Sequence, residues 1–278
     1  MANLYMRFPG GKKKAFTLSY DDAVEQDIKL AEIFKKHHLK CTFNLNSGEY
    51  APKGTVYPQG QIHRRMDEEQ VTKLYSEDCF EVAVHGYTHP FLEQLPRNIA
   101  TLDLIKDREK LEKQFDRLVR GMAYPYGTYN DDVVESMKSV GIVYSRTVHS
   151  THSFEMPTDW LRLNPTCHHD DEKLFELADR FLNQQPYGSS WMFYLWGHSY
   201  EFEANNNWDR IEKFADLISD KEEVWYATNI EIYDYTHAYH ELLFSMDMKK
   251  VCNPTAYELF FEYAGVNYSI KPGETKLL

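Results

Sequence analysis

The chain reads as an α/β fold in which parallel strands, each followed by a helix, close into a TIM-like barrel. Three observations predict it. Seven short β-rich runs alternate with amphipathic helical stretches, the pattern that yields a parallel sheet. The runs are mostly continuously apolar, as strands covered on both faces are. The unusual polar residues fall just past the ends of those runs, where barrels gather their chemistry: Asp21, Asp22, His85, Tyr126, His198, Asn229 and Glu231.

Taken in order, the first run (15–19) ends in Asp21-Asp22 and leads into a helix whose repeating face holds Val24, Ile28, Ala31 and Phe34. The second run is 41–45. The third (80–84) ends in His85-Gly86-Tyr87-Thr88-His89, and a long helix over 98–119 follows, charged outside with Leu104, Leu111, Phe115 and Leu118 inside. The fourth (121–124) leads to Pro125-Tyr126-Gly127. Asn130 then caps a helix over 131–140, which Gly141 stops. Runs over 142–148, 191–196 and 224–229 complete the set, with helices over 171–183 and 208–219 between them. Past about residue 241 the pattern changes to short alternating runs and a Lys271-Pro272-Gly273 turn. The barrel is therefore assigned residues 1–241, and 242–278 a small C-terminal β appendage packed on it.

Composition narrows the function. A net charge of −12 argues against a phosphate-backbone partner, so no nucleic acid is expected. The basic run Lys12-Lys13-Lys14 is too short to count and reads as a solvated loop. No apolar run approaches the roughly 18 residues of a membrane span, so no membrane partner is expected. The N-terminus shows no signal-peptide pattern, and Cys41, Cys79, Cys167 and Cys252 lie far apart with no CxxC. The expectation is a cytoplasmic protein with reduced cysteines. Oligomeric state is not legible.

One aspartate and two histidines make a hydrolytic metal triad with an open position for water, and an adjacent aspartate stays free as general base. The pairs Asp21-Asp22 and His85/His89 offer that set. The competing role for the aspartates is a helix N-cap. HxxxH alone is a weak signal; its place at a strand end gives it weight. Gly86 suits a tight turn, and Pro90 discourages helix beyond it. The Tyr126 backbone N–H is placed to serve an oxyanion, and His198 to protonate a leaving group. The donor set suits Zn2+, and also Co2+, Ni2+ or Mn2+. Cys167-His168-His169-Asp170 reads as the approach to a helix rather than a second metal cluster. Glu201, Asn206, Asn207 and Trp208 are candidates to contact a sugar, set against a plain solvated loop.

Thr17-Leu18-Ser19-Tyr20-Asp21-Asp22, His85-Gly86-Tyr87-Thr88-His89, Tyr124-Pro125-Tyr126-Gly127 and Leu195-Trp196-Gly197-His198 come in the order of the NodB-type polysaccharide deacetylases, carbohydrate esterase 4, which the chain resembles over roughly 15–229. The resemblance implies a distorted (β/α)7 barrel. It implies Asp21 as base, Asp22, His85 and His89 as metal ligands, Tyr126 as oxyanion donor and His198 as general acid. Asp159-Trp160 resembles the family's fourth motif, whose aspartate tunes the histidine. Tyr124, Pro125, Trp160, Arg162 and Trp196 are assigned to the substrate pocket. One departure stands out: Ala123 occupies the place of an arginine that pairs with the catalytic aspartate, and Arg146 or Arg162 are candidates to supply that charge. The activity implied is removal of N-acetyl groups from an amino-sugar or oligosaccharide. The alternatives are another C–N hydrolase on the same scaffold and a silent glycan-binding barrel.

Overall fold

Every residue of the first barrel strand is buried, and alternate side chains serve different layers. Phe16, Leu18 and Tyr20 join the apolar core under the helices, whereas Thr17, Ser19 and Asp21 point into the barrel, where Thr17 donates to Asn229 (2.8 Å) and Asn44 to both Ser19 and Asp21 (2.8 Å each). The same alternation holds along the neighbouring strand that carries Thr42 and Asn44 and the next, which carries Glu81 and His85. The strands are thus covered on both faces, as expected. The inner face, however, is a hydrogen-bonded polar column rather than an apolar layer.

The computed structural model describes residues 3–278. In chain order the elements are β1 (Leu4–Arg7), β2 (Lys14–Asp21), α1 (Gln26–Lys36), β3 (Cys41–Leu45), α2 (Glu68–Tyr75), β4 (Phe80–Val84), α3 (Arg97–Phe115), β5 (Gly121–Ala123), α4 (Asp131–Ser139), β6 (Tyr144–Arg146), β7 (Cys167–His168) and α5 (Leu174–Asn183). There follow β8 (Trp191–Gly197), α6 (Ser199–Ala204), α7 (Trp208–Ile218), β9 (Val224–Tyr226), α8 (Asn229–His240), β10 (Leu243–Phe244), β11 (Lys250–Cys252), β12 (Leu259–Tyr263), β13 (Val266–Ile270) and β14 (Thr275–Leu277).

The main sheet is parallel, in the order β6-β5-β4-β3-β2-β8-β7. It closes because the segment leading into β7 also bridges back to β6, through a parallel contact of Leu163 with Arg146 and the bond from Leu163 N–H to Ser145 O (2.9 Å). The closed, distorted seven-strand α/β barrel is as expected, but one member differs. β9 is not a barrel stave: among the described residues it pairs only with the first residues of β2, Lys14–Phe16, leaving Ser19–Asp21 to β3. The true seventh position is taken by β7, too short and polar to read as a strand. Asn229 and Glu231 consequently lie away from the catalytic end. Asn229 starts α8 and plugs the barrel beneath the site, donating to Tyr194 Oη (2.6 Å), while Glu231 pairs with Lys40.

The helices obey their local signals with small shifts. Asn130 caps α4 by accepting from Val133 N–H (2.9 Å), and Gly141 ends it at φ +73°. Ile28 and Leu118 are exposed rather than buried. In α1 the buried face runs instead through Leu30, Ala31, Ile33 and Phe34, and α3 stops at Phe115, before Leu118. Beyond α8, antiparallel strands form two small sheets, β10-β11-β14 and β1-β12-β13. The second draws on both ends of the chain, since Leu4–Arg7 pairs with β12. Leu259, Phe261 and Ile270 seat it against Phe8, Ala15 and Ile232.

Candidate active site

Asp21 ends β2 and is almost fully buried. Its carboxylate accepts from Asn44 Nδ2 and from Arg146 Nη2, and lies 3.8 Å from His85 Nε2 and 3.7 Å from His198 Nε2. Burial alone would raise its pKa. The Arg146 charge, with His85 and His198, outweighs burial and holds the carboxyl below its usual range. Arg146 is therefore the counter-charge that Ala123 does not provide. The two are register partners on adjacent parallel strands, so the charge sits one strand across on the same face. Its guanidinium lies over the Trp196 ring, 4.2 Å from the centroid, which fixes the fork. Arg162 does not reach the site. It pairs with Asp159 (2.7 Å) and Asp131 (2.6 Å) on the surface.

The next residue leaves the strand. Asp22 and Ala23 adopt left-handed backbone, φ +89° and +54°, which turns the Asp22 side chain toward the histidine turn. α1 begins only at Gln26, so neither aspartate caps it. His63 (3.3 Å) and Arg65 (3.2 Å) contact the Asp22 carboxylate from the long loop between β3 and α2. Burial would raise the Asp22 pKa; the His63 hydrogen bond and the Arg65 charge reverse that and depress it well below the usual range.

His85 follows β4, and its Nδ1–H donates to Ala123 O (2.8 Å), which turns the Nε2 lone pair into the cleft. Gly86 needs its φ of +77°, and a Cβ there would press on Pro90 and Pro125. The turn is clamped by α3. Asp103 accepts from Tyr87 N–H (2.7 Å) and Thr88 Oγ1 (2.9 Å), and Asp107 from His85 N–H (3.1 Å), Ser47 N–H (2.8 Å) and Ser47 Oγ (2.6 Å). These two helix residues, four apart and so on one face, are functional supports that sequence reasoning missed; the spacing was the only signal. His89, at φ +50°, points Nε2 to within 3.8 Å of Asp22 Oδ1.

One ligand atom each from Asp22, His85 and His89 lies within 4.8 Å of the others. Burial holds His85 below the usual imidazole range and, with the neighbouring His85, pulls His89 down to about 4. Both rings are thus neutral at ordinary pH, the state a metal ligand needs. Two imidazoles and one carboxylate, with the cavity on their open side, fit a divalent cation.

The cavity in front measures about 260 Å³. Tyr124, Tyr126, Trp196 and Tyr200 wall it, and Asp21 and His198 face in. Tyr126 has φ +58°, and among the described residues its N–H has no backbone partner. Its ring stacks on exposed Phe91 at 3.8 Å. Tyr124 holds Leu161 O through its hydroxyl (2.6 Å). Pro125 lies under Gly86 rather than in the wall. Trp160 is not in the site: it packs edge-on to Tyr233 of α8, because the short turn it occupies leads away from the strand ends. Asp159 caps that same turn at Leu161 N–H.

His198 follows β8, Nε2 toward Asp21 and Nδ1 toward Glu201 Oε1 (3.3 Å). Burial would lower its pKa, but the Glu201 hydrogen bond and the Asp21 charge prevail and raise it, favouring the protonated acid. Cys167-His168 is a strand, β7, not the approach to a helix. It delivers His168 and His169 to the far side of Glu201, and the side chains of His168, His169, Asp170 and Glu201 lie close enough to hold an ion.

With this geometry in view, the chain matches the family model described as polysaccharide deacetylase over residues 9–145. Over these residues the chain is similar to the polysaccharide deacetylase family. A matched relative is described as an N-deacetylase. That relative, a poly-beta-1,6-N-acetyl-D-glucosamine N-deacetylase of Staphylococcus epidermidis, is 27% identical over 148 residues, 51% of this chain. The chain spans only half (50%) of that relative's length. Among solved structures, a putative polysaccharide deacetylase from Mycobacterium smegmatis shares the fold at a TM-score of 0.58, with 16% identity over 84% of this chain and 93% of that one. A Streptococcus pyogenes deacetylase in complex with acetate gives 0.45, with 21% identity, 52% of this chain and 61% of that one. The family match ends at residue 145, so Arg146, His168, His198 and Glu201 all lie beyond it. No helix among the described residues is long and apolar enough to cross a membrane.

Proposed function

We propose that the protein is a metal-dependent N-deacetylase acting on an amino-sugar or oligosaccharide. The observation that carries this reading is Asp21: a buried carboxylate free of the ligand set, ionised by Arg146, and 3.7 Å from a histidine that favours its protonated form. A pure binding barrel has no use for a base and an acid facing each other beside three convergent ligands.

Asp22, His85 and His89 would hold the ion. Bound there, a divalent cation, Zn2+ by donor type with Co2+, Ni2+ or Mn2+ as substitutes, polarises the amide carbonyl and lowers the pKa of water. Asp21 takes the proton from the attacking water, with Asn44 and Arg146 fixing its two oxygens. The free Tyr126 N–H meets the oxyanion as it develops. His198 protonates the departing amine. The cavity accepts an acetamido group, and the exposed Phe91–Tyr126 stack at its mouth offers a flat apolar face to the attached sugar ring. Because the Asp21 carboxyl is depressed and the His198 imidazole raised, the pH–rate profile should be a bell, its acid limb below the usual aspartate range and its basic limb above the usual histidine value.

The test pairs metal content with acetate release on N-acetylglucosamine oligomers, for wild type and His85→Ala. About one ion per chain in wild type alone, with acetate released, is the expected result. Metal without acetate redirects the search to small linear and cyclic amides. Absence of metal from both proteins after reconstitution would sink the hydrolase reading and leave a glycan-binding barrel.

A further inference from the structure

Glu201 is three residues past His198, in the first turn of α6, and its carboxylate meets that histidine at two points. One oxygen accepts from the His198 backbone N–H (3.2 Å), and the other lies 3.3 Å from His198 Nδ1. Two further imidazoles close on the same carboxylate, His168 Nε2 and His169 Nε2, each 3.1 Å from Oε2.

We propose that Glu201 is the positioning residue for His198, fixing the ring so that Nε2 faces Asp21 and the cleft, with His168 and His169 holding Glu201 itself in place. The proposal rests on the deacetylase reading, in which His198 is the general acid. Asp159, the carboxylate that the motif order pointed to, caps its own turn and pairs with Arg162. Its place at the histidine is filled by a residue from the helix that His198 begins.

The supports are specific. The Asp170 N–H donates to His168 Nδ1 (3.2 Å), so a neutral His168 carries its proton on Nε2, aimed at Glu201. His169 is fully buried, stacked against Phe202 (4.1 Å) and Tyr20 (5.7 Å). Its ring fits there only because residue 197 is glycine: a Cβ on Gly197 would fall 2.0 Å from His169 Nδ1. The residue immediately before His198 is thus left bare to admit the ring that backs Glu201. The other groups facing His198 are Asp21, with Arg146 behind it, and the rings of Tyr200 (5.2 Å), Trp196 (5.7 Å) and His168 (6.5 Å).

A second metal centre built from His168, His169, Asp170 and Glu201 is the rival. The His168 tautomer opposes it, because the nitrogen nearest the centre bears hydrogen. The Asp170 carboxylate is moreover already engaged by Asn205 (3.1 Å).

The experiment follows the His198 ring by NMR titration in the metal-loaded protein, for wild type, Glu201→Gln, Glu201→Asp and His168→Ala, alongside acetate release and metal content. Glu201→Gln should lower the His198 midpoint by about one pH unit. It should cut kcat by roughly 10²-fold while KM and metal content hold. Glu201→Asp should restore part of both, and His168→Ala should give a smaller shift in the same direction. An unmoved His198 midpoint in Glu201→Gln and Glu201→Asp overturns the proposal. So does a wild-type content of two ions per chain that falls to one in Glu201→Gln. A midpoint shift in a protein whose wild type releases no acetate supports the pairing and counts against the deacetylase reading alone.

Discussion

The two walls of the cleft are built by different means. On the base side, Asp21, Asp22, His85 and His89 come from the ends of strands β2 and β4, held by the carboxylates of one helix, Asp103 and Asp107. On the acid side, His198 and Glu201 share a single strand-to-helix junction, braced by β7. The base wall lies inside the family match and the acid wall outside it. Even the carboxyls behave oppositely. Burial pushes Asp107 up to about 7 against its donors, whereas His168, His169 and His198 overcome burial and hold Glu201 well below the usual range. One wall is thus set from a separate helix, the other from within its own strand-to-helix junction.

The largest expected effects separate the two jobs of the base wall. His85→Ala should abolish metal retention and lower acetate release by on the order of 10³-fold or more. Asp21→Asn should keep the metal and lower kcat by roughly 10²–10⁴-fold. Metal analysis beside an acetate assay reads both. Loss of metal from Asp21→Asn would break the division between ligand and base.

The next test concerns the relocated charge. Arg146 lowers the Asp21 pKa, so Arg146→Met should raise it and move the acid limb of the pH–rate profile upward, with kcat down by about tenfold or more. Removing one partner of a fully buried pair should also cost about 3–5 kcal/mol of stability. Because Ala123 and Arg146 are register partners, Ala123→Arg in the Arg146→Met background should recover part of the rate. An acid limb that stays put in Arg146→Met would show that Asp21 is set by other groups.

This contrast explains what the sequence could reveal. Asp21, Asp22, His85 and His89 were legible because each pair is local and sits at the end of a strand with a clear apolar signature; β3 and β4 fall at the expected residues. Arg146 was in view only as one of two candidates, since pairing across β5 and β6 depends on register, which a strand of three residues does not announce. Glu201 was visible only as a loop residue that could touch a sugar. Its role depends on His168 and His169 arriving from a two-residue strand. Trp160 was misplaced because a short motif was matched in order, and it and Arg162 sit on a turn whose side chains pack on α8 and pair with surface aspartates, before the chain rejoins the barrel at Leu163.

A gentler probe compares the two carboxyls through stability. The Asp107 pKa is raised in the folded state, so its neutral form is favoured. Its contribution is full below the unfolded aspartate value near about 4 and is lost as pH rises through about 7. Glu201, depressed, contributes above the usual glutamate range and loses that only in stronger acid. Asp27 and Glu81, also pushed up to about 7, contribute a slope of the same sign, while His85, His89 and His169, held below the usual imidazole range, oppose it on the acid side of the ordinary histidine value. Asp107→Asn should flatten part of that slope. It should also cost about 1–3 kcal/mol at pH 5, since the amide nitrogen would replace one of the two oxygens and face either the Ser47 donors or the His85 N–H. Thermal melts across pH decide it. An unchanged slope in the variant would remove Asp107 from the account.

The smallest effect is expected where motif order and geometry disagree most. Arg162 follows Asp159-Trp160 and was assigned to the pocket, yet its guanidinium bonds Asp159 and the almost fully exposed Asp131. Solvent screens such pairs, so Arg162→Ala should change stability by less than about 1 kcal/mol. It should leave kcat/KM within roughly twofold, since no catalytic group depends on it for position or charge. Arg146→Met, which strips a buried partner from Asp21, should be far worse. A large loss of kcat/KM in Arg162→Ala, with the melting temperature held, would mean that a bound glycan extends from the cleft over the flank of the barrel to Arg162. The acid wall would then continue further than the cavity around His198.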